Sequence, residues 1–211
     1  MARIESLNVV FEEIDDIGGS VGRTAIDKRP VADTRTVTTD GVAGDFRSDM
    51  ENHGSDRQAI YAYAVEDYQW WSQHAGVEFG AGRFGDNLTT SGIDLTSAIV
   101  GTTVRIGTAT LQITDPRIPC GTFQRWLAQE QWVKRFTEEG RSGTYLAVVT
   151  SGDVTSGDDI EILDVPSHGV TVLDSFRVYT GDRDHDRLVR VEACADVEMA
   201  TREKARKALS L

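Results

Sequence analysis

Polar and apolar residues alternate over residues 3–11, the period of two that a half-buried strand requires. The run Ile17-Gly18-Gly19-Ser20 ends that pattern in a loop, and the β-branched residues 34–38 predict a second strand. Residues 41–56 are polar, carry several glycines, and fit neither a strand nor a helix period. Residues 58–62 read as a short buried strand. Val65, Tyr68, Trp71 and Ala75 then recur at helical spacing, which predicts an amphipathic helix over residues 64–74 with its aromatic face in the core. Further on, residues 100–107 and 109–115 predict a hairpin turning at Gly107-Thr108. Phe123, Trp126, Leu127, Trp132 and Val133 give roughly helical spacing across residues 121–136. Residues 143–149 read as a strand, and Asp158, Ile160 and Ile162 belong to another that closes the sheet.

The character of the chain changes at Val165-Pro166-Ser167-His168-Gly169. Many short strands with glycine turns precede it, which predicts a mainly β chain with helices (α+β) built on an antiparallel barrel over residues 1–165. A parallel α/β fold would need strands alternating regularly with helices. Residues 170–211 are rich in alanine, arginine and lysine and read as two or three short helices broken at Gly181 and Asp182-Arg183-Asp184. Asp196 is the expected N-cap of the last, with Glu198 in its first turn and Arg206 and Lys207 near its end.

Composition narrows the partners. The 211 residues suffice for one well-packed core. A net charge of −12 argues against nucleic acid or an anionic membrane surface as partner, and any anionic ligand must find a local basic pocket. The N-terminus does not read as a signal peptide, and no run approaches the ~18 apolar residues of a membrane span. Two scattered cysteines, Cys120 and Cys194, suit a reducing cytoplasm rather than a disulfide scaffold.

The candidate chemistry centres on Pro116-Arg117-Ile118-Pro119-Cys120. Two prolines fix φ and remove two backbone donors, so the segment cannot continue a central strand. It follows the second hairpin strand directly and holds one thiol in a stiff turn. A neighbouring arginine favours a thiolate; the alternative is a small buried apolar residue. His53-Gly54-Ser55-Asp56-Arg57 combines a histidine and a carboxylate near a glycine, a frequent site pattern but equally a solvated loop. No zinc spacing and no Walker-type phosphate loop is present. Lys28, Arg29, Arg47, Arg57, Arg117 and Arg141 all fall at loops or strand ends and are candidates for a local anion site.

Several segments in order resemble the MOSC family, the domain found at the C-terminus of molybdenum cofactor sulfurases, and in particular its small stand-alone bacterial members with a three-helix extension. Residues 25–31 resemble the family's Lys-x-Pro segment. Gly41-Val42-Ala43-Gly44-Asp45 and residues 53–59 resemble its Gly-Asp and His-Gly-x-x-Asp loops. Phe84-Gly85-Asp86-Asn87-Leu88-Thr89 resembles its Phe-Gly-Glu-Asn-Leu-Thr segment, with Asp86 in place of Glu, and Ser55 stands where a second Gly is usual. Residues 116–120 match its cysteine motif, and residues 140–145 and 152–159 complete the order.

The resemblance implies a MOSC-type β-barrel that holds a molybdenum cofactor (molybdopterin), with Cys120 as the protein's thiolate ligand to molybdenum. Arg117 and Arg141, then Lys28, Arg57 and Arg47, would meet the cofactor's phosphate. His53, Asp56, Asn87 and Thr89 would hydrogen-bond the pterin or protonate substrate. The implied reaction is reduction of N-hydroxylated compounds such as amidoximes, hydroxylamines and hydroxylated base analogues, with electrons from a separate reductase. Two other readings stay open. In one, the protein carries sulfur or the cofactor on Cys120 without redox turnover. In the other, it is a cysteine hydrolase pairing Cys120 with His53 or His74. A homodimer is also left open.

Overall fold

The computed structural model describes residues 1–19, 22–46 and 55–211. Thirteen strands form among them: β1 Arg3–Val10, β2 Ile14–Asp15, β3 Arg23–Thr24, β4 Lys28–Val31, β5 Arg35–Thr38, β6 Gly41–Val42, β7 Ile60–Ala64, β8 Leu88–Ser91, β9 Thr103–Ile106, β10 Ala109–Ile113, β11 Thr144–Thr150, β12 Gly152–Val154 and β13 Ile160–Asp164. Six α-helices accompany them: α1 Val65–Ala75, α2 Gly121–Leu127, α3 Trp132–Glu139, α4 Val172–Tyr179, α5 His185–Ala193 and α6 Met199–Leu209, with a 3-10 turn at Asp56–Gln58. Eight strands pair in the order β13-β9-β10-β11-β7-β8-β1-β4. The sheet curls until the segment leading into β13 meets the start of β1. There, Ile4 N donates to Asp158 O (2.9 Å) and Ile160 N donates to Ala2 O (2.9 Å). Residues 158–162 therefore close the sheet, as their alternation predicts.

Pairing is antiparallel throughout this sheet except between β7 and β8, which run parallel. Parallel neighbours need a crossover, and α1 with the loop after it supplies one. The predicted hairpin forms as β9 and β10, with Ala109 opposite Ile106. The single helical stretch expected over residues 121–136 is two helices. Ala128 (φ 51°) and Gln131 (φ 54°) take left-handed conformations that end α2 and begin α3. Asp196 is not the N-cap of the last helix. Glu198 is, its side chain accepting from Thr201 N, while the Asp196 carboxylate faces His168 Nε2 at 3.2 Å.

Two buried clusters hold the fold. The aliphatic one joins Leu7, Val104, Leu111 and Leu146 of the barrel to Val172, Val178, Leu188, Val191 and Val197 of the helical tail, so tail and barrel share one core. The tail is also tied by main chain, with Val100 N donating to Val170 O and Val172 N to Ala98 O. The second cluster is aromatic: Tyr61 and Tyr63 of β7, Tyr68 and Trp71 of α1, Phe84, Phe123 of α2, Trp132 and Phe136 of α3, and Phe176 of α4. Phe84 lies at its centre, with ring centroids 4.6 Å from Tyr68, 4.9 Å from Tyr63, 5.1 Å from Phe123 and 5.5 Å from Trp132. The loop before β8 is held from below by Asp86. Its carboxylate accepts from Tyr68 Oη (2.5 Å), Thr89 Oγ1 (2.6 Å), Asn8 Nδ2 (3.3 Å) and Gly82 N (3.3 Å).

Just after β2, Asp16 packs against α2. Asp16, almost fully buried, makes two bonds to Arg125, Oδ1 to Nε at 2.7 Å and Oδ2 to Nη2 at 2.8 Å, and accepts from Thr122 Oγ1 at 2.7 Å. A side chain at position 19 would run into that carboxylate, which explains Gly19.

Phe84→Ala is expected to destabilise the fold by ~3–5 kcal/mol, the usual cost of deleting a buried ring, measured as the shift of the urea midpoint at constant slope. The Arg125 guanidinium, with Thr122, holds the Asp16 carboxyl below its ordinary value of 3.8. A depressed folded value stabilises at pH above the unfolded value and is lost as pH falls through the folded one. The melting-temperature gap between wild type and Asp16→Asn should therefore be full at pH 7 and close below about pH 4.

Candidate functional site

Cys120 is placed by the end of β10. Tyr145 N donates to Asp115 O (2.7 Å) and Thr114 N to Tyr145 O (3.0 Å), so residues 114–115 are stitched to β11. Pro116 and Pro119 are buried, the chain leaves the sheet between them, and Cys120 emerges in extended conformation as the N-cap of α2. Its thiol is free and exposed. It opens on a cleft of about 770 Å³, whose wall also includes Tyr61, Phe84, Asn87, Arg117 and Tyr145 from the barrel and Tyr179, Glu198 and Thr201 from the tail. That volume lies within the ~300–1,000 Å³ of small-molecule sites.

The charges on this wall divide into two groups. Arg23 pairs with Glu13, Lys28 with Asp45 at 2.5 Å, Asp115 with Arg57 at 2.9 Å, and Arg125 with Asp16. Among the described residues, Arg117 and Glu198 are the two charged wall residues in no ion pair. Arg117 is 8% exposed, its guanidinium sits 3.6 Å over the Phe123 ring, and its Nη1 is buried with no hydrogen-bond partner. Burial pushes the hydroxyls of neighbouring Tyr61 and Tyr145 above their usual range, so no phenolate compensates it. A buried cation left in this way is costly unless an anion joins it.

The structure brings together only part of the set proposed from sequence. Cys120, Arg117, Lys28 and Asn87 share the cleft wall. Lys28 is neutralised by Asp45, which also accepts from Asn87 Nδ2 at 2.8 Å. Arg57 points instead to the junction with the tail, bonding Asp115 twice and the Asp196 carbonyl at 2.8 Å. Arg141 lines a different hollow beside α1, where its Nη1 bonds Asp67 at 2.6 Å. Thr89 is buried in the Asp86 network, off the wall. Asp56 is exposed in the 3-10 turn and likewise off the wall. His74 stacks on Trp70 at 3.8 Å, away from Cys120, so that histidine does not serve a hydrolase pair. His53 and Arg47 lie outside the described residues.

Sequence reasoning missed the Asp16–Arg125 pair at the rim and the tail's contribution to the wall. Neither carries a motif; each depends on which elements fold against each other. The run Gly80–Gly85 does spell G-x-G-x-x-G, but it leads into strand β8 rather than a helix, so it lacks the context of a dinucleotide loop.

Comparison with known proteins bears on family and fold. The MOSC domain family model matches residues 49–161, just over half of the chain. The uncharacterized protein YflK of Bacillus subtilis (strain 168) is 27% identical over 173 residues, covering 82% of this chain and 78% of that protein. A protein named reductase from Gibberella moniliformis (strain M3125 / FGSC 7600) is 28% identical over 142 residues, 65% of this chain but 25% of that longer protein. The crystal structure of YiiM from Geobacillus stearothermophilus superposes with a TM-score of 0.80 at 24% identity, over 99% of this chain and 100% of that one, and so shares its fold. With a family model that matches more than half of its residues, the chain belongs to the MOSC domain family.

Proposed function

We propose that the protein is a molybdenum-cofactor-binding oxidoreductase that reduces N-hydroxylated compounds, with Cys120 as the thiolate ligand. The observation that carries this reading is an exposed thiol on the same cleft as a buried guanidinium that lacks an anion. This donor set suits the group. A soft thiolate matches a metal already bound by sulfur, and Arg117 Nη1 lacks the kind of acceptor that a phosphate or another anionic oxygen provides. When bound, the cofactor supplies the two-electron chemistry. The chain's residues hold it and shape the space beside it: Arg117 orients an anionic group, and the Tyr61 and Phe84 side chains keep that wall dry. Overall, the substrate N–O bond breaks, its oxygen leaves as water, and two protons and two electrons are consumed. The electrons come from a separate reductase. Asp56, off the wall, does not deliver those protons. The relative named reductase supports redox chemistry as the general class.

The test is molybdenum content by mass spectrometry on protein made in a cofactor-competent host, followed by turnover of an amidoxime with a reduced donor. Near-stoichiometric metal in wild type is expected, with loss in Cys120→Ala. Arg117→Met should weaken cofactor retention roughly 10–100-fold, as expected for losing a charge-assisted hydrogen bond worth ~1.5–3 kcal/mol. Metal without turnover would instead make the protein a carrier. A metal-free wild type from a host whose own molybdoenzymes are loaded would overturn the reductase and cofactor-carrier readings and favour the sulfur-carrier or hydrolase one.

A further inference from the structure

The helical tail does more than cover the barrel. Residues Tyr179 at the end of α4 and Glu198 and Thr201 at the start of α6 stand on the same cleft as Cys120. Glu198 is fixed there by its capping role, its Oε2 accepting from Thr201 N at 3.3 Å. Among the described residues, no donor lies within hydrogen-bond range of its Oε1 and no cation pairs with it. The cleft thus carries one uncompensated cation on its barrel wall, Arg117, and one uncompensated carboxylate on its tail wall. A carboxylate in that position repels an anion and accepts N–H donors. A guanidinium or amidinium head matches it best, because two coplanar N–H groups meet two carboxylate oxygens. The net charge of −12 favours small cations over anions around the protein as a whole.

Building on the function proposed above, we infer that Glu198 is a specificity-determining residue that selects N-hydroxylated substrates with a cationic, N–H-rich head, such as N-hydroxyguanidines, over neutral aryl hydroxylamines. Arg117 keeps its separate duty toward the anionic group.

The experiment compares wild type, Glu198→Gln and Glu198→Asp. Gln retains a capping oxygen and loses the charge; Asp retains both charge and cap. Molybdenum content and melting temperature are measured first. Then kcat and KM are determined for an N-hydroxyguanidine and for N-phenylhydroxylamine. In Glu198→Gln, the kcat/KM ratio of the first substrate to the second should fall about 10-fold or more, through KM rather than kcat, at unchanged metal content. Glu198→Asp should retain most of the preference. An unchanged ratio overturns the inference, and so does loss of molybdenum in Glu198→Gln, which would assign the carboxylate to the cofactor. Should wild type reduce neither substrate, the proposed function fails separately, and calorimetric titration with phenylguanidinium decides this inference alone. Binding to wild type that weakens 10-fold in Glu198→Gln supports it, whereas absent or equal binding overturns it.

Discussion

The arrangement around Cys120 depends on the aromatic packing centred on Phe84. This ring touches residues from β7, α1, α2 and α3, four elements drawn from two distant stretches of the chain. α2 carries Cys120 as its N-cap and Phe123 on its buried face, so the position of the thiol follows from where Phe123 packs. The same Phe123 ring carries the Arg117 guanidinium. Interiors are close-packed and transmit displacement, so a change in this cluster reaches both the thiol and the cation beside it.

Electrostatics then selects among the many charged groups nearby. In an acidic chain, most arginines find carboxylates. Arg57, Arg125 and Arg141 each do so with short, charge-assisted bonds. Asp174 shows how far local partners can act: burial pushes its carboxyl up, yet the Thr171 backbone and Arg187 hold it below its ordinary value. Arg117 and Glu198 stand apart because neither has such a partner among the described residues. Groups left without compensation on a cleft are the ones available to a ligand.

Much of this architecture was legible in the sequence. The β9–β10 hairpin followed from alternation around Gly107-Thr108, and the buried aromatic face of α1 from its spacing. The Cys120 loop followed from its two prolines. What escaped was non-local. Nothing in the alternation of residues 60–64 and 88–91 reveals that β7 and β8 run parallel. The pairing of Arg57 and Arg141 was not legible because their carboxylates, Asp115 and Asp67, lie 58 and 74 residues away. Asp196 looked like a cap because it precedes a helical pattern, whereas the helix starts where Val197 is buried and Glu198 reaches Thr201. The start of α4, by contrast, is spelled locally by the Thr171–Asp174 capping box.

The tail wall has a bearing on the order of assembly. Chains leave the ribosome N-terminus first, and residues 198–201 emerge only after every strand of the barrel. A nascent chain that already displays the Cys120 loop still lacks the side of the cleft that carries Glu198. The junction in which Arg57 holds both Asp115 and the Asp196 carbonyl cannot form until then either. Synthesis therefore imposes a delay between making the Cys120 thiol and completing the cleft on which it opens.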